Sequence, residues 1–145
     1  MEIRLYEDGY RDDIIFMVLQ AKDALGRLPS INEDLLDIKT NYFGRGGEFW
    51  IAVDDNDRVI GCGGYSIIEG TKEAYVHRLY VKASEKHKGI GSALLDAIEA
   101  GMRISGITVA RVHLGTPPEQ WYESYSFYPK RGYVEYKPGY MMKEL

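Results

Sequence analysis

Apolar positions recur with two different periods along this chain, and the switches between them mark its elements. Residues 2–7 set Ile3 and Leu5 against Glu2, Arg4 and Tyr6, the alternation of a short half-buried strand that Gly9 ends. From 10 to about 25, Ile14, Val18, Ala21 and Leu25 fall at helical spacing, with Ile15, Met17 and Leu19 widening the stripe into a first helix. Gly26 and Pro29 break the chain, and Ser30 with Glu33 three residues later reads as a capping box for a short helix through about 38. The loop NYFGRGGE follows.

Strand-like runs at 48–53 and 58–68 flank DDND, a polar hairpin turn whose residues tolerate left-handed conformations. After Glu69-Gly70-Thr71 the chain returns over 73–81, so three consecutive strands form a meander. Beyond Gly89, Ile90, Ala93, Leu94, Ala97, Ile98 and Met102 repeat as one face of a helix that Gly106 ends. A β-branched run at 107–114 follows, and a strand, helix and strand of these lengths imply a parallel pair joined by a right-handed crossover. Pro117 and Pro118 start a helix near Glu119 that must end by Pro129 or bend there. Short strands at 133–136 and 140–143 turn around Pro138-Gly139. The order β, α, α, β, β, β, α, β, α, β, β predicts an α/β protein of the α+β kind, and without repeat or linker the expectation is a single domain over 1–145.

Composition narrows the function classes. A net charge of −4 over 145 residues does not advertise a nucleic-acid partner. No basic-plus-apolar leader follows Met1 and no apolar run approaches the roughly 20 residues of a membrane helix, so the expectation is a soluble, cytoplasmic protein with no membrane partner. Cys62 is the sole cysteine, and GCGGY carries no Cys/His signature, so it reads as a small core residue. His77, His87 and His113 lack ligand spacing, which points to a metal-free mechanism.

The candidate chemistry lies between the fourth strand and the helix after it, in Lys86-His87-Lys88-Gly89-Ile90-Gly91-Ser92. Glycines let backbone approach a ligand, first-turn N–H groups have no internal partner, and the helix dipole adds partial positive charge, so the loop is suited to phosphate. A dinucleotide fingerprint would need a third glycine where Leu94 stands, and a P-loop would need Gly-Lys-Ser/Thr at the helix start. By itself the loop is also compatible with an ordinary strand-turn-helix.

HRLYVKASEKHKGIGSALL resembles the acyl-CoA-binding segment of the GNAT superfamily of N-acyltransferases, whose pattern is Arg/Gln-x-x-Gly-x-Gly/Ala after a strand with aliphatic-x-Val. Leu79 and Val81 fill the strand positions, and Lys86 stands where the family prefers Arg or Gln. A second block, FYPKRGY at 127–133, is similar to the family's FYEKLGF segment. The resemblance implies the GNAT fold: a mixed central sheet of about six to seven strands flanked by about four helices and splayed between the fourth and fifth strands.

It also implies acetyl-CoA as cosubstrate, with pantetheine bonding backbone groups of Leu79, Tyr80 and Val81 and the pyrophosphate taken by Lys86, His87, Lys88, Gly89, Ile90, Gly91 and Ser92. Lys88 reads equally as a solvated lysine. The Leu79 N–H would polarise the thioester carbonyl and Tyr128 would protonate departing coenzyme A. Where many members carry a carboxylate six residues before the strand valine, this chain has Tyr75, which leaves His77 or Glu73 as base or else a packed His77. Trp121 stands where the family often has Asn. By the resemblance the first helix pair and the loop at 41–48 would lie over the acceptor end of the cleft, or Arg45, Gly46 and Gly47 merely form a turn.

Two functions follow from the resemblance. One is an N-acetyltransferase acting by direct attack in a ternary complex on a primary amine of a small molecule or peptide; the other is a non-catalytic acyl-CoA-binding sensor or subunit. The acidic balance leans towards cationic amines by steering. Association as a homodimer is left open.

Overall fold

The computed structural model describes residues 1–28 and 30–145, so the expected break at Pro29 lies outside the described residues. Seven strands form one sheet: β1 (Glu2–Leu5), β2 (Glu48–Val53), β3 (Val59–Ile67), β4 (Glu73–Val81), β5 (Val109–His113), β6 (Val134–Lys137) and β7 (Tyr140–Glu144). They are ordered β1-β2-β3-β4-β5-β7-β6. The meander is antiparallel throughout, and β4–β5 is the parallel pair in the sheet.

Alternation along β2 divides the core between two layers. Phe49, Ile51 and Val53 face α1 (Arg11–Ala24) and the turn of α2 (Ile38–Asn41), joined by Ile14, Met17, Val18 and Ile38. Trp50 and Ala52 face α3 (Ile90–Ile104), with Leu94, Leu95, Ile98 and Met102. Because β2 is covered on both faces, its sequence EFWIAV reads as an apolar run without alternation. The glycines of β3 let α3 lie close: a Cβ on Gly61 would come 2.9 Å from Leu94 Cδ1.

Where the structure departs from the expected elements, competing bonds explain it. The Ser30–Glu33 capping box does not form; the Ser30 carbonyl accepts from Lys22 Nζ at 2.8 Å, and a 3-10 stretch over Glu33–Asp37 starts after an Asn32 that gives no side-chain cap. Asp37 instead caps α2, accepting from the Thr40 N–H at 3.1 Å. The helix near Glu119 is a 3-10 turn, Pro118–Trp121, leading into a short α4 (Tyr122–Phe127) that ends before Pro129.

One irregularity shapes the site. Pairing between β3 and β4 slips between Cys62 and Gly64, and Arg78 opposite takes a φ of +54°. At this bulge the period-two rule fails, and His77 and Arg78 both fall on the α1 side, with Leu79 and Val81 on the α3 side.

Candidate active site

β4 and β5 pair only over Glu73–Tyr75 with Val109–Arg111, and from Val76 onward they diverge. Backbone groups of Val76–Val81 that point towards β5 therefore have no strand partner among the described residues. The gap widens into a cavity of about 800 Å³ lined by the upper half of β4, the loop before α3, the end of β5 and α4.

At the α3 end of this cavity the chain turns through two left-handed residues, His87 at φ +63° and Gly89 at φ +81°. The first helical bond runs from the Ala93 N–H to the Gly89 carbonyl at 3.0 Å, which leaves the amides of Ile90, Gly91 and Ser92 free of backbone partners among the described residues. The Ile90 side chain itself is buried in the core, so only its amide faces the cradle. A Cβ on Gly91 would meet Phe127 Cε1 at 3.4 Å, so α4 closes the other side of the loop.

The two lysines chosen from the sequence are already matched by carboxylates. Lys86 Nζ lies 2.5 Å from Glu123 Oε2, and Lys88 Nζ lies 2.9 Å from Glu85 Oε2. Arg131, which the sequence reading passed over, lines the same end: it donates to the Ser92 hydroxyl, stacks 4.9 Å over Phe127, and has no carboxylate partner among the described residues. Its Nε is buried without a hydrogen bond. FYPKRGY places arginine where FYEKLGF has leucine, and that departure was the available signal.

Midway along the cavity Tyr128 is packed edge-on between Phe127 and Tyr133, at 5.1 and 5.2 Å. The residue is 5 % exposed, and its hydroxyl makes no hydrogen bond among the described residues. Burial pushes its phenol well above the ordinary tyrosine value, so it stays protonated. Tyr80, on the α1 side of β4, also lines the cavity and is likewise raised by burial.

The two candidate bases are separated. His77 lines the cavity, and its Nε2 is 2.8 Å from Ser66 Oγ; burial lowers its pKa, with Arg78 adding to the effect. Glu73 lies outside the lining, on the paired stretch of β4, with its carboxylate 2.9 Å from Arg111. Next to His77, Arg78 donates to Asp34 through Nε at 3.1 and 3.2 Å and Nη2 at 2.9 Å, and the Tyr42 hydroxyl donates to the same carboxylate at 2.5 Å. No sequence pattern announced this cluster, because it depends on the bulge at Arg78. The segment at 41–48 is a turn with Gly46 at φ +81°; none of its residues lines the cavity, and Tyr42 is buried in the α1-side core, where it reaches Asp34.

Trp121 packs its indole against Gly115 just after β5, where a Cβ would lie 1.9 Å from the ring, and Arg27 stacks over that ring at 3.3 Å. Cys62 is buried with its thiol pushed up to about 12, and its Sγ donates to the Arg78 carbonyl at 3.2 Å, an inert setting. Among the described residues no helix is long and apolar enough to cross a membrane.

A family model described as an acetyltransferase (GNAT) domain matches residues 45–135, well over half of the chain. The chain belongs to the GNAT acetyltransferase family. Its general chemistry is therefore acyl transfer. Solved GNAT-type structures share the whole architecture: an acetyltransferase of the GNAT family from Staphylococcus aureus Mu50 superposes with a TM-score of 0.88 at 21 % identity, covering 99 % of this chain and 98 % of that one. An acetyltransferase from Streptococcus agalactiae 2603 gives 0.85 at 19 % identity, with coverage of 99 % and 98 %. PaiA N-acetyltransferase from Thermoplasma acidophilum, solved in complex with coenzyme A, gives 0.79 at 25 % identity over 100 % of both chains. No curated protein sequence matches the chain. The splay between β4 and β5, inferred from the GNAT resemblance, is thus present in the GNAT fold of this protein.

Proposed function

We propose that the protein transfers an acetyl group from acetyl-CoA to a primary amine by direct attack within a ternary complex. The observation that carries this reading is the continuity of one cavity from unpaired β4 backbone, past the unbonded Tyr128 hydroxyl, to the free amides at the start of α3. The coenzyme A bound by the Thermoplasma acidophilum relative supports it.

In this reading pantetheine lies along Leu79, Tyr80 and Val81 as an added strand, and the pyrophosphate meets the amides from His87 to Ser92. Lys86 and Lys88 are pre-paired with carboxylates, so Arg131 supplies the uncompensated charge near the phosphates. The neutral amine nitrogen attacks the thioester carbon, and the Leu79 N–H stabilises the oxyanion. As the C–S bond breaks, Tyr128 gives its proton to the leaving thiolate. The nitrogen loses its proton to His77, directly or through water. With Ser66 accepting from Nε2–H, the His77 Nδ1 carries the lone pair that receives it. Glu73 is disfavoured as base by its engagement with Arg111.

The second reading, an acyl-CoA-binding module without turnover, is favoured by Tyr75 in place of the strand carboxylate. Release of free thiol from acetyl-CoA across a panel of amines tests the two. Amine-dependent thiol release supports the transferase, and tight acetyl-CoA binding without it on any amine supports the module.

A further inference from the structure

The α1-side wall of the cavity carries more positive charge than its carboxylates balance. Arg27 and Arg78 line it, from the turn after α1 and from β4, and buried Lys22 of α1 lies near enough to both that each disfavours its charge. The carboxylates that interact with this group are Asp34, already gripped by Arg78, and Glu123, already paired with Lys86. Among the described residues Lys22 itself bonds only neutral acceptors, the Ser30 carbonyl at 2.8 Å and Asn32 Oδ1 at 2.9 Å.

The same corner holds donors with nothing to donate to. Among the described residues Arg27 Nε and Asn32 Nδ2 are buried without partners, and the one hydrogen bond of the Arg27 guanidinium is a long 3.4 Å contact to the Gln120 carbonyl. The Nη1 of Arg78 makes no hydrogen bond among the described residues. Buried donors and uncompensated cations are costly unless a bound group satisfies them. Conversely, the carboxylates that line the cavity, Glu85 and Glu123, are both tied to lysines, so none is free to hold an ammonium.

We propose that the acceptor is a small amine that also bears an anionic group, a carboxylate or phosphonate, held on this wall by Arg27 and Arg78. The inference rests on the acyltransferase reading for the word acceptor, but its chemistry is independent of turnover. It reverses the leaning towards cationic amines drawn from the overall charge of −4, because a pocket wall sets the local potential that a bound substrate meets. Guanidinium groups suit the task, since they offer carboxylate and phosphonate a planar pair of donors. Arg27 stacked on Trp121 can keep its ring contact while one edge takes the anion.

Calorimetry on the full chain saturated with coenzyme A tests this. The probes are α-amino acids and aminoalkylphosphonates, each matched with its carboxamide or its decarboxylated or dephosphonated amine. The anionic member of the best-bound set is expected to bind about tenfold tighter or more than its neutral partner, the scale of a charge-assisted hydrogen bond. Arg27→Gln should erase that difference and leave coenzyme A affinity and the melting temperature unchanged, while Arg27→Lys keeps part of it. The paired variant Arg78→Gln/Asp34→Asn, which leaves no buried charge unmatched, should weaken the same preference. Equal or tighter binding of neutral amines or diamines throughout the set overturns the proposal, as does an anion preference untouched by both variants. Thiol release with the same compounds separates the two claims: an anion preference in binding without thiol release leaves this inference standing and removes the transferase.

Discussion

Arg78 and Asp34 form a bidentate ion pair behind the cavity wall that Arg78 lines, with Arg78 held at φ +54° opposite the bulge in β3. Burial alone would raise the Asp34 pKa; the hydrogen bonds from Arg78 and Tyr42 outweigh it and hold the carboxyl below its ordinary value. A carboxylate depressed in the folded state contributes stability above its unfolded pKa, about 3.9, and loses it as pH falls through the folded value. Asp34→Asn should therefore destabilise the protein at pH 7 by about 1–2 kcal/mol, a figure reduced from that of a fully buried pair because both side chains are partly exposed. Urea titrations at pH 7 and near pH 3 check it: the gap between variant and parent should shrink at the lower pH, and a constant gap would assign the effect to packing.

The proposed phosphate cradle predicts a split between two variants. Gly89→Asp places a carboxylate at the α3 N-terminus, in open space but at φ +81°, where a side chain is strained. Coenzyme A affinity should fall by more than about tenfold, the scale of a lost charge-assisted bond. Arg131→Gln should raise the KM for acetyl-CoA and flatten its salt dependence while kcat at saturation holds. Calorimetric titration of both variants, with melting curves to show that they fold, reads the outcome. Unchanged affinity in a folded Gly89→Asp protein would remove the site.

His77 predicts a pH dependence. Burial lowers its pKa from the ordinary 6.5, so as a base it stays neutral at pH 6.5 and the acid limb of the rate lies below that pH. The unfolded chain takes up the proton first as pH falls, so His77 also makes stability decline below about 6.5. His77→Gln should lower turnover and weaken that stability slope. A pH–rate profile with the same height and shape in the variant would make His77 a packing residue.

Much of this architecture was legible from periodicity. α3 follows its apolar pattern closely, β4 does so up to the bulge, and β2 betrayed its double burial as an apolar run. The splay was accessible only through the two blocks that resemble GNAT sequences, since pairing that stops after Tyr75 leaves no trace in hydrophobicity. The bulge was hidden for a different reason: Arg78 at positive φ has none of the glycine that usually marks such a position, and so the faces of His77 and Arg78 could not be read by alternation alone. Arg27 and Arg131 lie far from the loop in sequence, and their approach to the cavity is set by tertiary packing, as is the reach of Asp34 to Arg78.

The proposed mechanism turns on one proton transfer, which it assigns to Tyr128. Its hydroxyl is unbonded among the described residues, and its buried phenol holds its proton until a thiolate forms beside it. Tyr128→Phe keeps the ring between Phe127 and Tyr133 and removes only the hydroxyl. Single-turnover acyl transfer with saturating acetyl-CoA should slow by about 10²-fold or more, with coenzyme A affinity unchanged. A Tyr128→Phe rate within about twofold of the parent, roughly 0.4 kcal/mol of barrier, would contradict the account and turn attention to Tyr125, now bonded to the Gly115 carbonyl.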